Sequence, residues 1–105
     1  MKIFHLALED AWTAAQADGT YTVSTMGLGL ADVGFIHCAQ PSQVAGVHER
    51  YYVDVAEPIL LLTIDTDRLT SPWQLDAVPG QPEPFPHIYG PLNVDAVESA
   101  VPFRA

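Results

Sequence analysis

A histidine in the middle of a short apolar run constrains this chain more than any other feature. Residues 33–41 read VGFIHCAQP. The pattern predicts a strand over residues 34–38 with Phe35 and His37 on one face, and Pro41 suits the first position of a following helix. A buried imidazole without partners is costly. His37 is therefore either a core residue bonded inside the fold or a functional group at a strand end.

The remaining segments carry interspersed strand and helix patterns. Helical spacing predicts helices over residues 9–17 and 41–52. Period-two or continuous apolar patterns predict strands over residues 2–7, 59–65, 73–78, 85–89 and 99–103. Residues 21–24 are interpreted as a short strand or an extended arm. Residues 25–30 are interpreted as a loop or a short helical turn, and Asn93 as the cap of a single turn over residues 94–97. Without regular βαβ alternation, we expect an α+β fold with two main helices and a mostly antiparallel, curved sheet or split pair of sheets.

Two strands carry more specific expectations. Residues 59–65 are almost continuously apolar, which predicts a strand that is buried on both faces. Pro86 lacks an N–H, so its strand is expected at a sheet edge or in irregular pairing. In that segment Phe85, His87 and Tyr89 are expected to point the same way.

Length and composition favour one folded domain over residues 1–105. Hydrophobic residues make up 49% of the chain and charged residues 16%, which is typical of a packed protein rather than a disordered one. No apolar run approaches the roughly 18–20 residues of a membrane-spanning helix. The first residues lack the apolar core of a signal peptide, so a cytoplasmic location is expected.

Charge and cysteine content exclude several classes of partner. Thirteen acidic residues against four basic ones give a net charge of −9. Nucleic-acid binding rests on Lys and Arg contacts to phosphates, so no nucleic-acid partner is expected. A small nucleotide-like ligand remains compatible, because backbone N–H groups and imidazoles can hold it. One cysteine excludes an internal disulfide and a multi-Cys zinc site, and Cys38 is interpreted as a small buried hydrophobic residue.

The four histidines divide into two groups. His5, His37 and His87 lie in apolar strand segments, whereas His48 lies on the second predicted helix. Three strand-borne imidazoles are expected to converge on a polar cleft or on one another. Three imidazoles also suit zinc, but their spacing is not that of common sites, so a metal is a minor alternative and none is expected. Tyr89 shares a face with His87 and is either a functional group or a half-buried ring with a solvated hydroxyl.

Three sequence segments resemble a known family. They are Ile3-Phe4-His5 with Trp12 downstream, Gly34-Phe35-Ile36-His37-Cys38, and the run FPHIYGPL at residues 85–92. The chain resembles the small bacterial family called domain of unknown function 952 over essentially its whole length. That family is similar in fold to the ADP-ribosyltransferases, whose split, curved β-structure holds nicotinamide adenine dinucleotide (NAD) in a cleft.

The resemblance implies functional positions. His5 and His37 fall on the two histidines of the RNA 2′-phosphotransferase branch, and with Ala39 they are expected to contact a bound cofactor such as NAD. His37 is followed by Cys38 and Ala39, where relatives usually have a serine at the second position. Asp76 matches the family's acidic position.

Three further residues complete the predicted site. Glu83 is the alternative to Asp76 at the acidic position. His87 and Tyr89 belong to the family's own signature and are expected at the cleft.

Three hypotheses follow from the sequence. The first is an enzyme of the ADP-ribosyltransferase or phosphotransferase type that acts on NAD, ADP-ribose or a phosphorylated small substrate, with His5, His37, His87, Tyr89 and Asp76 as catalytic residues. The second is a module that binds a nucleotide-like metabolite without turnover. The third, minor hypothesis is a histidine-dependent metal site.

Overall fold

Ten short strands and three α-helices form in residues 1–25 and 27–104, which are the residues described by the computed structural model. The strands are β1 (Lys2–Leu8), β2 (Thr20–Tyr21), β3 (Val23–Thr25), β4 (Leu28–Gly29), β5 (Ile36–His37), β6 (Ile59–Asp65), β7 (Trp73–Asp76), β8 (Phe85–Ile88), β9 (Leu92–Asn93) and β10 (Val97–Pro102). The helices are α1 (Glu9–Asp18), α2 (Leu30–Val33) and α3 (Val44–Tyr51). Single 3-10 turns occupy Pro41–Gln43, Thr66–Arg68 and Val94–Ala96.

The strands form two three-stranded sheets and two small pairs. The first sheet has the order β1-β6-β10 and the second has the order β5-β8-β7. The pairs are β2 with β9 and β3 with β4, and each pairing among the described strands is antiparallel. The α+β class with mostly antiparallel sheets is therefore confirmed. Helices α1 and α3 are the two main helices of the prediction, and α2 adds a single short turn.

A short joint connects the two sheets. Phe4 in β1 and Ala39 just after β5 form an isolated antiparallel bridge, with N–H to oxygen distances of 2.9 Å from Phe4 and 2.7 Å from Ala39. Next to it the Cys38 N–H donates to the Pro86 carbonyl at 2.9 Å. The joint fixes the end of β5 against the middle of β1, and it brings the first two strand-borne histidines together.

The core lies mainly on one face of the first sheet. In β6, Leu60, Leu62 and Ile64 are buried, whereas the residues between them are half-buried. The prediction that this strand is buried on both faces is therefore right for one face only. The other face, with Ile59 and Leu61, lies against a second, smaller cluster that leaves it partly open to solvent.

The strand predicted over residues 34–38 is shorter than expected. Only Ile36 and His37 form β5, because the preceding residues close α2. Gly34 adopts a φ of +93° and its N–H bonds to the Leu30 carbonyl at 2.8 Å, which is a typical glycine helix end. The predicted loop at residues 25–30 contains β4 and the start of α2, and Met26 lies outside the described residues.

The predicted edge position of Pro86 is wrong. Strand β8 is the central strand of the second sheet, and Pro86 lies opposite Leu75 of β7. The N–H and C=O of one residue point to the same side of a strand. The Pro86 carbonyl faces Cys38, where β5 has already ended, so the missing N–H of Pro86 interrupts no ladder. A central proline is tolerated because its neighbour is only two residues long.

Two other expectations were tested by the fold. Asn93 does precede a single turn, Val94–Ala96, but its side chain makes no capping bond there. Its amide oxygen instead accepts hydrogen bonds from the backbone N–H and hydroxyl of Thr70. None of the helices in the described residues is long and apolar enough to cross a membrane.

The asymmetry of burial between the sheets predicts which leucines hold the fold. Leu62 is fully buried in β6, whereas Leu75 in β7 is 43% exposed. We expect Leu62→Ala to lower the free energy of unfolding by about 2–5 kcal/mol through lost burial and a residual cavity. Leu75→Ala should change it by less than about 0.5 kcal/mol. Urea unfolding followed by circular dichroism measures both, and similar losses in the two variants would contradict this account of the core.

Candidate functional site

Two histidines and an aspartate form a hydrogen-bonded chain across the second sheet. Nδ1 of His37 lies 3.2 Å from Nε2 of His87, and Nδ1 of His87 lies 2.7 Å from Oδ2 of Asp76. The register explains the contact, because His37 and His87 are directly paired across β5 and β8. Asp76 reaches the same chain from β7, the outer strand of this sheet.

The direction of the hydrogen bonds follows from the acceptor at one end. An ionised carboxylate only accepts, so the Nδ1–H of His87 donates to Asp76. In neutral His87 the Nε2 is then an acceptor, and the Nδ1–H of His37 donates to it. This leaves Nε2 of a neutral His37 as a lone pair with no hydrogen-bond partner among the described residues. Every fully buried side-chain nitrogen or oxygen there has a partner, so this nitrogen is open to solvent.

Three donors hold the carboxylate at the outer end of the chain. Besides His87, the Tyr89 hydroxyl donates to Oδ2 of Asp76, and Nε2 of Gln74 donates to Oδ1 at 2.6 Å. The hydrogen bond from Tyr89 is the main reason why the pKa of Asp76 is below its usual value, with Gln74 and His87 adding to the effect. The same bond raises the pKa of Tyr89. Asp76 is therefore held in its ionised form.

One aromatic ring stacks on each of the two imidazoles. Phe35 stacks on His87 with ring centroids 3.9 Å apart and planes inclined by 16°. Phe85 stacks on His37 at 5.0 Å and 28°. The expected common face of Phe85, His87 and Tyr89 agrees with these contacts, since the Tyr89 ring also lies 5.7 Å from Phe35. Stacking fixes the orientation of each imidazole and restricts it to small movements.

A cleft of about 380 Å³ lies beside His37 and His87 of this hydrogen-bonded chain. The rings of His37, His87, Phe35 and Tyr51 line it, and residues of β3 and the start of β4 form another part of its wall. The volume is near the lower end of the range for small-molecule sites. The site therefore combines a solvent-open, partly aromatic cleft with one open imidazole nitrogen.

His5 is bonded inside the fold through both ring nitrogens. Nδ1 donates to the backbone carbonyl of His37 at 2.7 Å, so Nε2 accepts from the Tyr21 hydroxyl at 2.9 Å. Only 3% of the residue is exposed. Burial lowers its pKa to about 4. The sequence leaves two interpretations of a strand-borne histidine, a core residue bonded inside the fold or a functional group. The structure shows His5 bonded as a core residue.

Burial also lowers the pKa of His37 to about 4, and its electrostatic interactions with His87, His5 and Arg50 lower it further. His37 differs from His5 in one respect. Its Nε2 is open, whereas both nitrogens of His5 are occupied. The backbone of His37 is also fixed, because its N–H donates to the buried Ser24 hydroxyl at 3.1 Å. A neutral imidazole with one open nitrogen can accept a hydrogen bond from a ligand, and because its pKa is low it takes up a proton only transiently.

The other predicted residues lie apart from the chain of His37, His87 and Asp76. Ala39 uses its N–H and its carbonyl in the bridge to Phe4, so a cofactor contact at its backbone would need groups that the fold already uses. Glu83 lines a different groove, beside α3, which leaves Asp76 as the acidic residue in contact with the histidines. His48 packs its ring against Phe103 at 4.8 Å.

Cys38 is 1% exposed, and burial raises the pKa of its thiol. The interpretation as a small buried residue agrees with both facts.

Several residues of the site were not proposed from the sequence as functional. Period two places Phe35 on the same strand face as His37, and it places Gln74 on the same face as Asp76. The same spacing therefore identifies Phe35 and Gln74 as candidate site residues. Tyr21 and Ser24 carried no such signal. They reach the histidines only through the pairing of β2 with β9 and the contact of β3 with β5.

The comparisons with known proteins identify the family. A family model described as "Protein of unknown function (DUF952)" matches residues 6–100. The chain belongs to this family. The resemblance found in the sequence motifs is thereby confirmed at the level of the family.

Two crystal structures of protein CC0527 from Caulobacter crescentus are similar to the chain, and one of them is a double mutant. Each has a TM-score of 0.83, with 27% and 28% sequence identity, and the alignments cover 99% of this chain and 87% of CC0527. No curated protein matches the chain. The function must therefore be inferred from the geometry of the site.

The lowered pKa values of His5 and His37 predict acid sensitivity. Both are about 4 in the folded chain and about 6.5 when unfolded. Between these values the unfolded state binds more protons, so the free energy of unfolding falls as the pH falls from 6.5 towards 4. Each such group contributes a slope of up to about 1.4 kcal/mol per pH unit.

Replacing one of the two groups separates this effect from that of the carboxylates. We expect His37→Gln to reduce the slope of the free energy of unfolding against pH, between pH 5 and pH 6, by close to the contribution of one proton. Urea unfolding at a series of pH values measures this slope. A variant with the slope of the unchanged chain would show that His37 titrates alike in the folded and unfolded states.

Proposed function

We propose that this chain is an acid–base enzyme that acts on a nucleotide-like or phosphorylated small molecule, with His37 as the group that transfers the proton. The observation that carries the proposal is the hydrogen-bonded chain from Asp76 through His87 to His37, whose ring lines a cleft and whose Nε2 has no partner among the described residues. A core that needed only stability would have no use for a half-exposed carboxylate bonded to a buried imidazole in a chain that ends in an open lone pair, since perturbed groups at a cleft favour a functional role.

The proposed proton transfer follows from the direction of the hydrogen bonds among His37, His87 and Asp76. Nε2 of His37 accepts a proton from a hydroxyl or a water molecule in the cleft, and the oxygen becomes a nucleophile. The Nδ1–H of His37 can then shift to Nε2 of His87, which places the positive charge beside ionised Asp76. The reverse shift returns the proton to the leaving group. A carboxylate that orients and stabilises an imidazolium in this way is a common device of acid–base catalysis.

The fold supports a narrower version of this proposal. Two separate antiparallel sheets, with a cleft beside the histidines of the second sheet, are compatible with the ADP-ribosyltransferase-like fold that the sequence resemblance implies. In this version the substrate is NAD, ADP-ribose or another phosphorylated small molecule. The positions that the resemblance assigns to a dinucleotide clamp do not fit it well, because His5 and Ala39 use their polar groups inside the fold. The proposed steps therefore depend on the chain of His37, His87 and Asp76 alone.

A second candidate function is binding without turnover. The same internal bonds of His5 and Ala39 favour it, because they remove two of the expected contacts to a reacting dinucleotide. In this case the cleft would hold a nucleotide-like metabolite, with His37 as a hydrogen-bond acceptor. The two candidates differ in one measurable respect, since only an enzyme converts the ligand that it binds.

The enzyme proposal predicts a specific loss of turnover. NAD, ADP-ribose and a panel of phosphorylated sugars and nucleotides are incubated with the protein, and the products are measured by mass spectrometry. For a substrate that is converted, His37→Gln should lower kcat by about 10²–10⁴-fold, the usual contribution of a general acid or base. Asp76→Asn should lower kcat as well, because the amide no longer stabilises the imidazolium.

His48→Gln is the matched control, since it makes the same chemical change on a histidine that contacts neither the cleft nor the chain of His37, His87 and Asp76. Its kcat should equal that of the unchanged protein. Turnover that survives His37→Gln would contradict the assignment of the proton-transfer group. Binding of a panel member without any product would favour the second candidate instead.

A further inference from the structure

Arg50 leaves an uncompensated positive charge in a groove beside α3. Its guanidinium has no ion-pair partner among the described residues, where Lys2 pairs with Asp65 and Glu98. This is unusual in a chain with thirteen acidic residues and only four basic ones, because carboxylates are abundant. The groove has a volume of about 310 Å³. It is separate from the cleft over His37 and His87.

Gln81 holds the guanidinium in place across the groove. With its amide oxygen turned towards Arg50, Oε1 accepts from Nη2 at 2.5 Å and from Nη1 at 3.0 Å. An amide is neutral, so these bonds orient Arg50 without cancelling its charge. A guanidinium carries five N–H groups in a planar fork that suits two oxygens of a phosphate or carboxylate, and the bonds to Gln81 leave several of them available.

Gly46 gives the groove an open floor next to this charge. It lies one helical turn before Arg50 on the same face of α3, and a Cβ placed on it would meet nothing within 4 Å. Packing inside the chain therefore does not require a glycine there, although glycine is a poor helix former. Space for a ligand against the helix backbone is a physical reason for this residue.

The groove adjoins the cleft through two aromatic residues. Phe85 lines the groove and also stacks on His37 with ring centroids 5.0 Å apart. Tyr51 lines the cleft, and its ring centroid lies 5.9 Å from Cζ of Arg50. The groove and the cleft are therefore neighbours, with Phe85 and Tyr51 between them.

We propose that Arg50, oriented by Gln81 and open above Gly46, binds a phosphoryl group of the substrate whose reacting part occupies the cleft at His37. The reacting part rests on the proposed function, whereas the anion site stands on the groove alone. Glu83 also lines the groove. Its negative charge opposes an anion, so it limits the affinity and keeps binding reversible.

The anion site is tested without any turnover. Inorganic phosphate is titrated into the ¹⁵N-labelled protein at constant ionic strength, and amide shifts are followed by NMR, with acetate and chloride as comparison anions. We expect saturable shifts at Gly46, Arg50 and Gln81 in millimolar phosphate. Arg50→Gln should weaken binding at least tenfold, and Glu83→Gln should strengthen it several-fold.

Arg68→Gln is the matched control, because it removes the same charge from a 3-10 turn that does not line the groove. It should bind phosphate as the unchanged chain does. Gly46→Ala gives an independent check: the methyl group should raise Tm by about 4 °C through helix propensity and still weaken phosphate binding. Equal binding by the Arg50 and Arg68 variants, or shifts that do not saturate, would overturn the site.

A second titration connects the groove to the cleft. Adenosine and adenosine monophosphate differ only by the phosphoryl group, and we expect the nucleotide to bind at least tenfold more tightly to the unchanged protein but not to Arg50→Gln. If phosphate binds at Arg50 and neither compound shifts residues of the cleft, the anion site stands and the proposed nucleotide-like substrate fails. If both compounds bind equally and shift residues of the cleft, the proposed contact between Arg50 and the phosphoryl group of the substrate fails while the cleft assignment stands.

Discussion

The hydrogen bond from the imidazole of His5 to the backbone carbonyl of His37 controls the geometry of the molecule. It joins β1 of the first sheet to β5 of the second, beside the bridge between Phe4 and Ala39. Because β5 is only two residues long, its own ladder to β8 gives little support. The hydrogen bond of His5 and the bridge between Phe4 and Ala39 add the support that the two-residue ladder between β5 and β8 does not give. They hold His37 at a fixed distance from His87, which the proposed proton transfer requires.

The three strand-borne histidines show how environment assigns different roles to one residue type. Burial lowers the pKa of both His5 and His37, so depth alone does not distinguish them. The distinction lies in the bonding. His5 has two partners and no open nitrogen, whereas His37 has one partner and an open nitrogen at the cleft. His87 lies between His37 and Asp76, and its hydrogen bond to the carboxylate determines the direction of its hydrogen bond with His37.

Local patterns in the sequence predicted much of the fold. The period-two pattern at residues 2–7 and the helical spacing at residues 9–17 correspond to β1 and α1, since such elements are determined by nearby residues and by one apolar face. The contact of His37 with His87 agrees with the expected convergence of the strand-borne histidines, whereas Asp76 was expected at the site from the family resemblance. The position of Pro86 in a central strand was not predictable, because it depends on how short its neighbour β5 is. The internal bonds of His5 and Ala39 depend on the joint between the sheets, which no local pattern encodes.

The groove at Arg50 adds a second polar feature to the same end of the molecule. The cleft offers a proton acceptor between aromatic walls, and the groove offers a fixed positive charge in a strongly acidic chain. A protein of this size has room for few such features, and Phe85 contacts both. The arrangement favours a small ligand with a reactive end and an anionic end.

The most direct test of the central claim is the protonation state of the histidine ring nitrogens. Long-range ¹H–¹⁵N correlation spectra of the protein with labelled histidines, at pH 7, report which nitrogen of each ring carries the proton. The account predicts that His5 and His37 are neutral with the proton on Nδ1, that Nδ1 of His87 carries a proton, and that Nε2 of His37 is unprotonated. A proton on Nε2 of neutral His37 would reverse the direction of the hydrogen-bonded chain and contradict the assignment of His37 as the proton acceptor.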